Sequence, residues 1–429
     1  MLTAGEQLSS ESGVAVTVGA VLGSGGQGTV YSGRTPDGRE VAIKWYLPQF
    51  QTADLRENIT ALVEARSPSR AFLWPEDVVF RDGDFGYVMP LRPKAYAGMP
   101  EVLGRKVKIR FRELVRAAGH IVAAFKALQA KGLFYCDISD GNLFVDPATG
   151  DVLICDNDNV GSKRTAPRVL GTPRFMAPEI VRGEVKPAAL TDGFSMAVLL
   201  FLLLMNDHPL HGAAEARIHV FDAAAMKRIY GDDPVFIFDP VNKTNRPVGG
   251  VHVNAPIFWQ LYPQEIRDVF TQVFTDGMAD PGLRPSFGTW ERALFSAFDA
   301  IFACDNCKRE NFYTAGNPGA ACWGCRRVFR TPPRLVLDGK QVVVLNPDTQ
   351  LFARHLAVKD GTAVVGQALA KLAKHPTQDL YGLKNLTDSQ WYATPPGAAA
   401  TRPISPGQSI ALRQGTQIEF GAATAVVEE

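Results

Sequence analysis

The feature that most narrows what this chain can fold into is the stretch Tyr135-Cys-Asp-Ile-Ser-Asp-Gly-Asn-Leu-Phe-Val145. Asp137 and Asn142 stand five residues apart, and an apolar run follows at once. A carboxylate and a carboxamide held near one point have complementary uses: the first accepts a proton, and the second ligates a hard cation through its oxygen. Ahead of the stretch, Phe111, Leu114, Val115, Ile121, Phe125 and Leu128 keep a helical period from Arg110 to Ala130, closed by Lys131-Gly132. Behind it, Asp146-Pro-Ala-Thr-Gly150 reads as a hairpin turn leading to the apolar strand Val152-Leu-Ile-Cys-Asp156. Asp156 ends that strand as a second candidate ligand for magnesium. A polar turn before a strand has the same local look, so the rest of the chain must decide.

Upstream, Val14 to Leu22 reads as a strand entering Gly23-Ser24-Gly25-Gly26-Gln27-Gly28-Thr-Val30. Glycines at these spacings let main-chain N–H groups close on phosphate oxygens. No helix signal follows, and Gly33 to Gly38 is a turn, so the loop belongs to a hairpin rather than to a strand–helix–strand unit. The return strand Val41-Ala42-Ile43-Lys44 ends in a lysine suited to grip phosphate. Such a lysine needs an anion to orient it. Thr52 can cap a helix reaching about Arg66, with Leu55, Ile59, Leu62 and Val63 on one face, and Glu57 is preferred over Glu64 as the partner of Lys44. Phe85 to Leu91 reads as another strand, with Pro90 to Arg92 as a hinge. Further on stand Gly171-Thr172, Ala177-Pro178-Glu179, Thr191-Asp192, the apolar run Met196 to Met205 and Asp280-Pro-Gly-Leu-Arg284-Pro. The run is about half of the ~20 residues a membrane span needs and reads as a buried helix. Glu179 and Arg284 are expected to form a bidentate pair.

Taken in this order, the motifs resemble those of the eukaryotic-like protein kinase family across roughly residues 14–300. The resemblance implies an α+β, two-lobed fold, residues 1–90 forming one lobe and 91–300 the other. It implies ATP in the cleft, Mg2+ or Mn2+, and transfer of phosphate to a serine or threonine of a protein substrate. Asp137 becomes the residue that receives the hydroxyl proton, Asn142 and Asp156 the magnesium ligands, and Lys44, set by Glu57, the phosphate grip. Gly23, Ser24, Gly25, Gly26, Gln27, Gly28, Val30, Ala42, Met89 and Leu91 line the nucleotide. Thr172 matches the threonine that Ser/Thr-specific members keep near the aspartate. Kinases of the aminoglycoside type share the aspartate and asparagine but lack the Ala-Pro-Glu segment. There are departures. Tyr135-Cys136-Asp137 stands for His-Arg-Asp, Ser139 for a lysine, and Asp156-Asn157-Asp158 for Asp-Phe-Gly. They make a nucleotide-binding pseudokinase scaffold the alternative. Ser162 and Thr165 are the first hydroxyls of the activation segment, and residues 207–262 carry no legible chemistry.

Past residue 300, Cys304-Asp-Asn-Cys307 and Cys322-Trp-Gly-Cys325 pair at the spacing of a structural zinc ribbon with four cysteine ligands, over 301–331. The remaining two of six cysteines lie apart, a usage that fits a reducing cytoplasm rather than a disulfide framework. Residues 332–429 alternate short β-like runs with Gly/Pro turns and suggest a small β-sandwich. Gly382 to Ser389 and Gly415 to Gly421 resemble the second half of a forkhead-associated domain, without that family's phosphothreonine-gripping arginine and serine. A protein partner is expected there. The order of the three parts is loosely similar to bacterial kinases of tellurite-resistance-type operons. Lys308, Arg309, Arg326, Arg327 and Arg330 read as a solvated rim, and a net charge of +1 argues against a nucleic-acid partner. The first residues, Met-Leu-Thr-Ala-Gly-Glu, lack the basic start and apolar core of a secretion signal. The expectation is a cytoplasmic protein without a membrane partner.

Overall fold

Six strands at the start of the chain close into an antiparallel barrel: β1 (Gln7–Ser10), β2 (Val16–Ser24), β3 (Gly28–Arg34), β4 (Glu40–Tyr46), β5 (Asp77–Arg81) and β6 (Asp84–Pro90), in the order β1-β2-β3-β4-β6-β5. This is a computed structural model, and it describes residues 1–162, 169–316, 320–356, 367–374, 377 and 380–429. Alternation along β4 explains much of the barrel. Val41, Ile43 and Trp45 enter an interior shared with Leu8, Val16, Val18, Tyr31, Val79 and Val88. Ala42, Lys44 and Tyr46 lie on the opposite face and are buried as well. β1 is not apparent in the sequence, because four residues with one leucine carry too little period to read; it pairs with both β2 and β5 and so closes the barrel.

Helix α1 (Ala53–Ala65) packs beside the barrel, and the Thr52 side chain accepts from Leu55 N at 3.3 Å as the expected cap. Its buried face is Leu55, Asn58, Ile59 and Leu62. The long helix Phe111–Ala130 buries the expected Phe111, Val115, Ile121, Phe125 and Leu128, with Leu114 half-buried, and is followed by Gly132, whose φ of 72° supplies the left-handed turn. The chain then runs through the Asp137 loop into the hairpin Leu143–Val145 with Val152–Ile154. Helix Ala189–Met205 is buried over most of its length, with Phe201 packed edge-to-face against Phe236, Phe270 and Phe274. Among the described residues no helix is long and apolar enough to cross a membrane. Glu179 and Arg284 form the expected bidentate pair at 2.8 and 2.9 Å, both side chains buried.

The chain divides into two compact units, Met1–Gln260 with Arg267–Glu291, and Leu261–Ile266 with Arg292–Glu429. The second unit holds a two-stranded hairpin (Ile301–Ala303 with Glu310–Phe312) and two antiparallel sheets. The larger sheet runs Gln341–Val344, Arg334–Leu337, Thr424–Glu428, Gln417–Glu419, Trp391–Thr394, Arg402–Ile404; the smaller runs Gln350–Leu351, Ala370–Lys374, Tyr381–Asn385, Ser409–Ala411. Leu335, Trp391, Ile418 and Val427 of the first share one core with Leu351, Leu372 and Leu383 of the second.

Candidate active site

The Asp137 loop is held by its backbone. Asp192, in the first turn of the buried helix, accepts from Tyr135 N at 2.5 Å and from Cys136 N at 3.2 Å. Cys136 adopts φ 70°, a left-handed conformation that side chains disfavour, so these two bonds fix a turn that would otherwise relax. Burial pushes the Asp192 carboxyl up to about 7, with the two N–H donors pulling the other way. Burial and then the Asp192 charge raise the Cys136 thiol far above its ordinary range. Tyr135 Oη donates to the Cys155 carbonyl, and Thr172 Oγ1 donates to Asp137 Oδ1 at 2.8 Å. Asn142 spends its Nδ2 on the Asp137 carbonyl at 3.1 Å, which leaves its Oδ1 as acceptor.

Asp156 sits at the end of Val152–Ile154 in the left-handed region, φ 59° and ψ 45°. Its side chain, 30% exposed, pairs with Lys44 Nζ. Burial, then the neighbouring Asp158, pushes its carboxyl up to about 6. Lys44 Nζ also donates to Gln27 Oε1 at 3.1 Å and Asp158 Oδ2 at 2.7 Å. Burial works against the ammonium, but Asp158 and Asp156 outweigh it and hold Lys44 above its usual range. For Asp158 the balance has the same shape: burial favours the neutral acid, and the Lys44 charge overrides it to keep the carboxylate.

The expected Lys44–Glu57 pair is not formed. Asn58, not Glu57, lies on the buried face of α1, and successive helix residues point about 100° apart, which turns Glu57 outward. Glu57 and Glu64 border an outer groove with Glu11, Arg56, Thr60 and Phe80. The two residues after Asp156, which depart from the family pattern, both turn inward. Asn157 is fully buried where phenylalanine was missing, and its amide donates to Leu73 O at 2.8 Å and Ile154 O at 3.1 Å. Asp158, where the family pattern has glycine, is buried at the centre of the network. A local clue existed: Tyr46, two residues beyond Lys44 on the same strand face, donates to Asp158 Oδ2 at 2.6 Å.

The glycine loop turns on Gly25 N to Gly28 O at 2.9 Å. A Cβ on Gly28 would collide with the Trp45 carbonyl, whereas Cβ atoms on Gly23, Gly25 and Gly26 would meet nothing, so the loop leaves open space over the cleft. Ser24 is exposed there. Val30 lies opposite Lys44, and Ala42 opposite Met89, in the β-register; Leu91 follows the last residue of β6. Ser139 is buried, while its neighbour Asp140 pairs with Arg174 at 2.5 Å. Ser162 is described, and Thr165 lies outside the described residues.

In the second unit Cys304, Cys307, Cys322 and Cys325 place their sulfurs within 4.8 Å of one another. Two cross-pairs measure 3.7 and 3.5 Å, close to the roughly 3.8 Å between thiolates on a tetrahedral zinc. The two halves are alike. Lys308 N returns to Cys304 O and Arg326 N to Cys322 O, with Lys308 and Arg326 at φ 60° and 62°. Gly324 N and Asn311 Nδ2 point at Cys322 Sγ, a contact that favours thiolate. The donor set and spacing fit a structural zinc ion.

Residues 16–275 match the family model described as protein kinase domain. The chain is 28% identical over 218 residues to human "Serine/threonine-protein kinase D3", covering 48% of this chain and 24% of the relative. It is 28% identical over 224 residues to "Serine/threonine-protein kinase PkaB" of Streptomyces coelicolor, covering 48% and 52%. It is 26% identical over 194 residues to "Probable serine/threonine-protein kinase zyg-1" of Caenorhabditis briggsae, covering 44% and 26%. The chain therefore spans between about a quarter and a half of the length of these curated relatives.

Proposed function

Because the chain belongs to the protein kinase family, we propose that it transfers the γ-phosphate of ATP to serine or threonine hydroxyls of a protein substrate, itself included. The observation that carries this reading is the Thr172–Asp137 contact, which aims a carboxylate oxygen from the same loop that presents Asn142. MgATP, or its manganese form, supplies the phosphoryl group and the cation that screens it. Asp137 orients the substrate hydroxyl and takes its proton on a carboxylate oxygen. Asn142 Oδ1 and the Asp156 carboxylate hold the cation, and Lys44 fixes the phosphates beneath Gly23, Ser24, Gly25, Gly26, Gln27 and Gly28. Val30, Ala42, Met89 and Leu91 enclose the base.

In this reading residues 1–90 and 91–300 are the two lobes, 301–331 a zinc ribbon closed by four thiolates, and 332–429 a forkhead-associated-like β-sandwich that docks a protein partner in the cytoplasm. Sharing of one core by two antiparallel sheets supports the last assignment. The test is incubation with γ-labelled ATP, magnesium or manganese, and a generic protein substrate. Transfer is expected from the unaltered chain and is lost, by about a thousandfold or more, in Asp137→Asn and Lys44→Met. Equal transfer by both variants overturns the proposal. Thermal stabilisation by MgATP without any transfer, a result the missing lysine at Ser139 would explain, replaces it with the scaffold reading.

A further inference from the structure

Lys44 has three anionic or polar partners, and they are not equivalent. Gln27 belongs to the glycine loop and Asp156 is partly exposed to the cleft, so both stand where phosphate and cation are proposed to bind. Asp158 stands behind them, with a side chain only 1% exposed. Tyr46 Oη donates to the same Asp158 oxygen that receives Lys44. Asn58 of α1 donates to the Asp158 carbonyl at 3.0 Å, and the adjoining Asn157 donates its amide N–H groups to the Leu73 and Ile154 carbonyls. Asp158 Oδ1 has no hydrogen-bond partner among the described residues, so the Lys44 and Tyr46 bonds to Oδ2 are the side-chain bonds this carboxylate makes there. A buried ammonium needs a buried counter-charge, and neither glutamate of α1 supplies one.

We infer that Asp158 is the positioning residue for Lys44, doing from the metal-binding segment what a carboxylate on helix α1 was expected to do. This rests on the reading of Lys44 as the phosphate ligand. The lysine and the cation ligand Asp156 are then set by one short segment, and α1 is tied to that segment through a main-chain oxygen rather than through a charge. Rotation of the helix does not switch the lysine.

The full chain tests this by calorimetric binding of Mg·ADP and of adenosine, which lacks phosphate, alongside ATP turnover. Asp158→Asn is expected to weaken ADP binding by about tenfold or more, the value of a charge-assisted bond, while adenosine affinity stays within about twofold. Asp158→Glu recovers part of the loss, and Glu57→Gln changes neither ligand. Equal weakening of both ligands by Asp158→Asn marks a merely structural role and overturns the inference. So does an ADP-selective loss in Glu57→Gln. If Asp158→Asn does not fold, Tyr46→Phe and Glu57→Gln decide: an ADP-selective loss in the first alone supports the assignment, and any other pattern overturns it. Failure of the unaltered chain to bind ADP removes the kinase reading itself, and this inference with it; ADP binding that ignores Asp158 removes only the inference.

Discussion

At the scale of residues, the loop around Asp137 is a small strained object held by a few bonds. Cys136 carries the cost of a left-handed backbone, about 1 to 2 kcal/mol, and Asp192 offsets it with two accepted N–H bonds. Asp192→Asn replaces one acceptor by an N–H that faces another N–H. The expected result is a loss of about 1 to 3 kcal/mol in denaturant unfolding, with phosphate transfer falling further than stability, because Asp137, which directly follows Cys136, is moved. His211 gives a pH signature. Burial, then His252 and Arg174, lowers its imidazole to about 4, and its Nε2 meets Tyr230 Oη at 2.8 Å. Between about pH 6.5 and 4 the unfolded chain holds a proton on this ring that the folded chain does not. Stability therefore falls as pH drops through that window, by up to about 1.4 kcal/mol per unit for this group. Unfolding measured at pH 7 and pH 5 should show the fall, and His211→Asn should reduce the slope while the buried His208, lowered in the same way, keeps a share of it; an unchanged slope removes the assignment. The pairing of Asp137 with Asn142 was legible because it lies within one loop, Asn142 Nδ2 donating to the Asp137 carbonyl five residues back. Asp158 was not, because Lys44 lies 114 residues away and only folding brings it close.

At the scale of elements, periodicity showed that α1 exists but not its rotation. Leu55, Ile59 and Leu62 define a stripe wide enough to admit either polar neighbour, and packing chose Asn58. The spacing of the two cysteine knuckles was legible, since it is set within a few residues, and in each the residue after the second cysteine, Lys308 or Arg326, is left-handed. Alkylation offers a clean check of the proposed zinc. In the native chain thiol modification should be slow; after chelation about four thiols should react. Cys136 and Cys155 should stay unmodified in both cases, since burial raises the first thiol far and the second to about 12. Rapid modification of the four without chelator rejects the metal.

At the scale of the whole molecule, each unit has its own core and its own candidate ligand. Ligand linkage then predicts two separable responses in a melting experiment. MgATP at about a hundred times its Kd stabilises the unit carrying Lys44 by roughly 2.7 kcal/mol, while chelation lowers the transition of the unit carrying the cysteines. A single transition moved by both reagents counts against this assignment. The order of motifs revealed the kinase fold because those motifs are spread through it in sequence. The closing strand β1 and the register of the later sheets stayed hidden, since short strands gain meaning only from distant partners.

The burial of Lys44 has a further consequence. The ammonium gives up its water when the chain folds, before any nucleotide arrives, and its side chain is left 8% exposed. Screening needs ions that can approach a charge, and in open physiological solution it reaches about 8 Å. Around Lys44 there is little such solution. The share of phosphate recognition proposed for it is therefore a salt-tolerant one, whereas attraction by exposed arginines fades as ionic strength rises. A rise in the salt around this protein dims its surface charges and leaves the phosphate contact proposed for Lys44 in place.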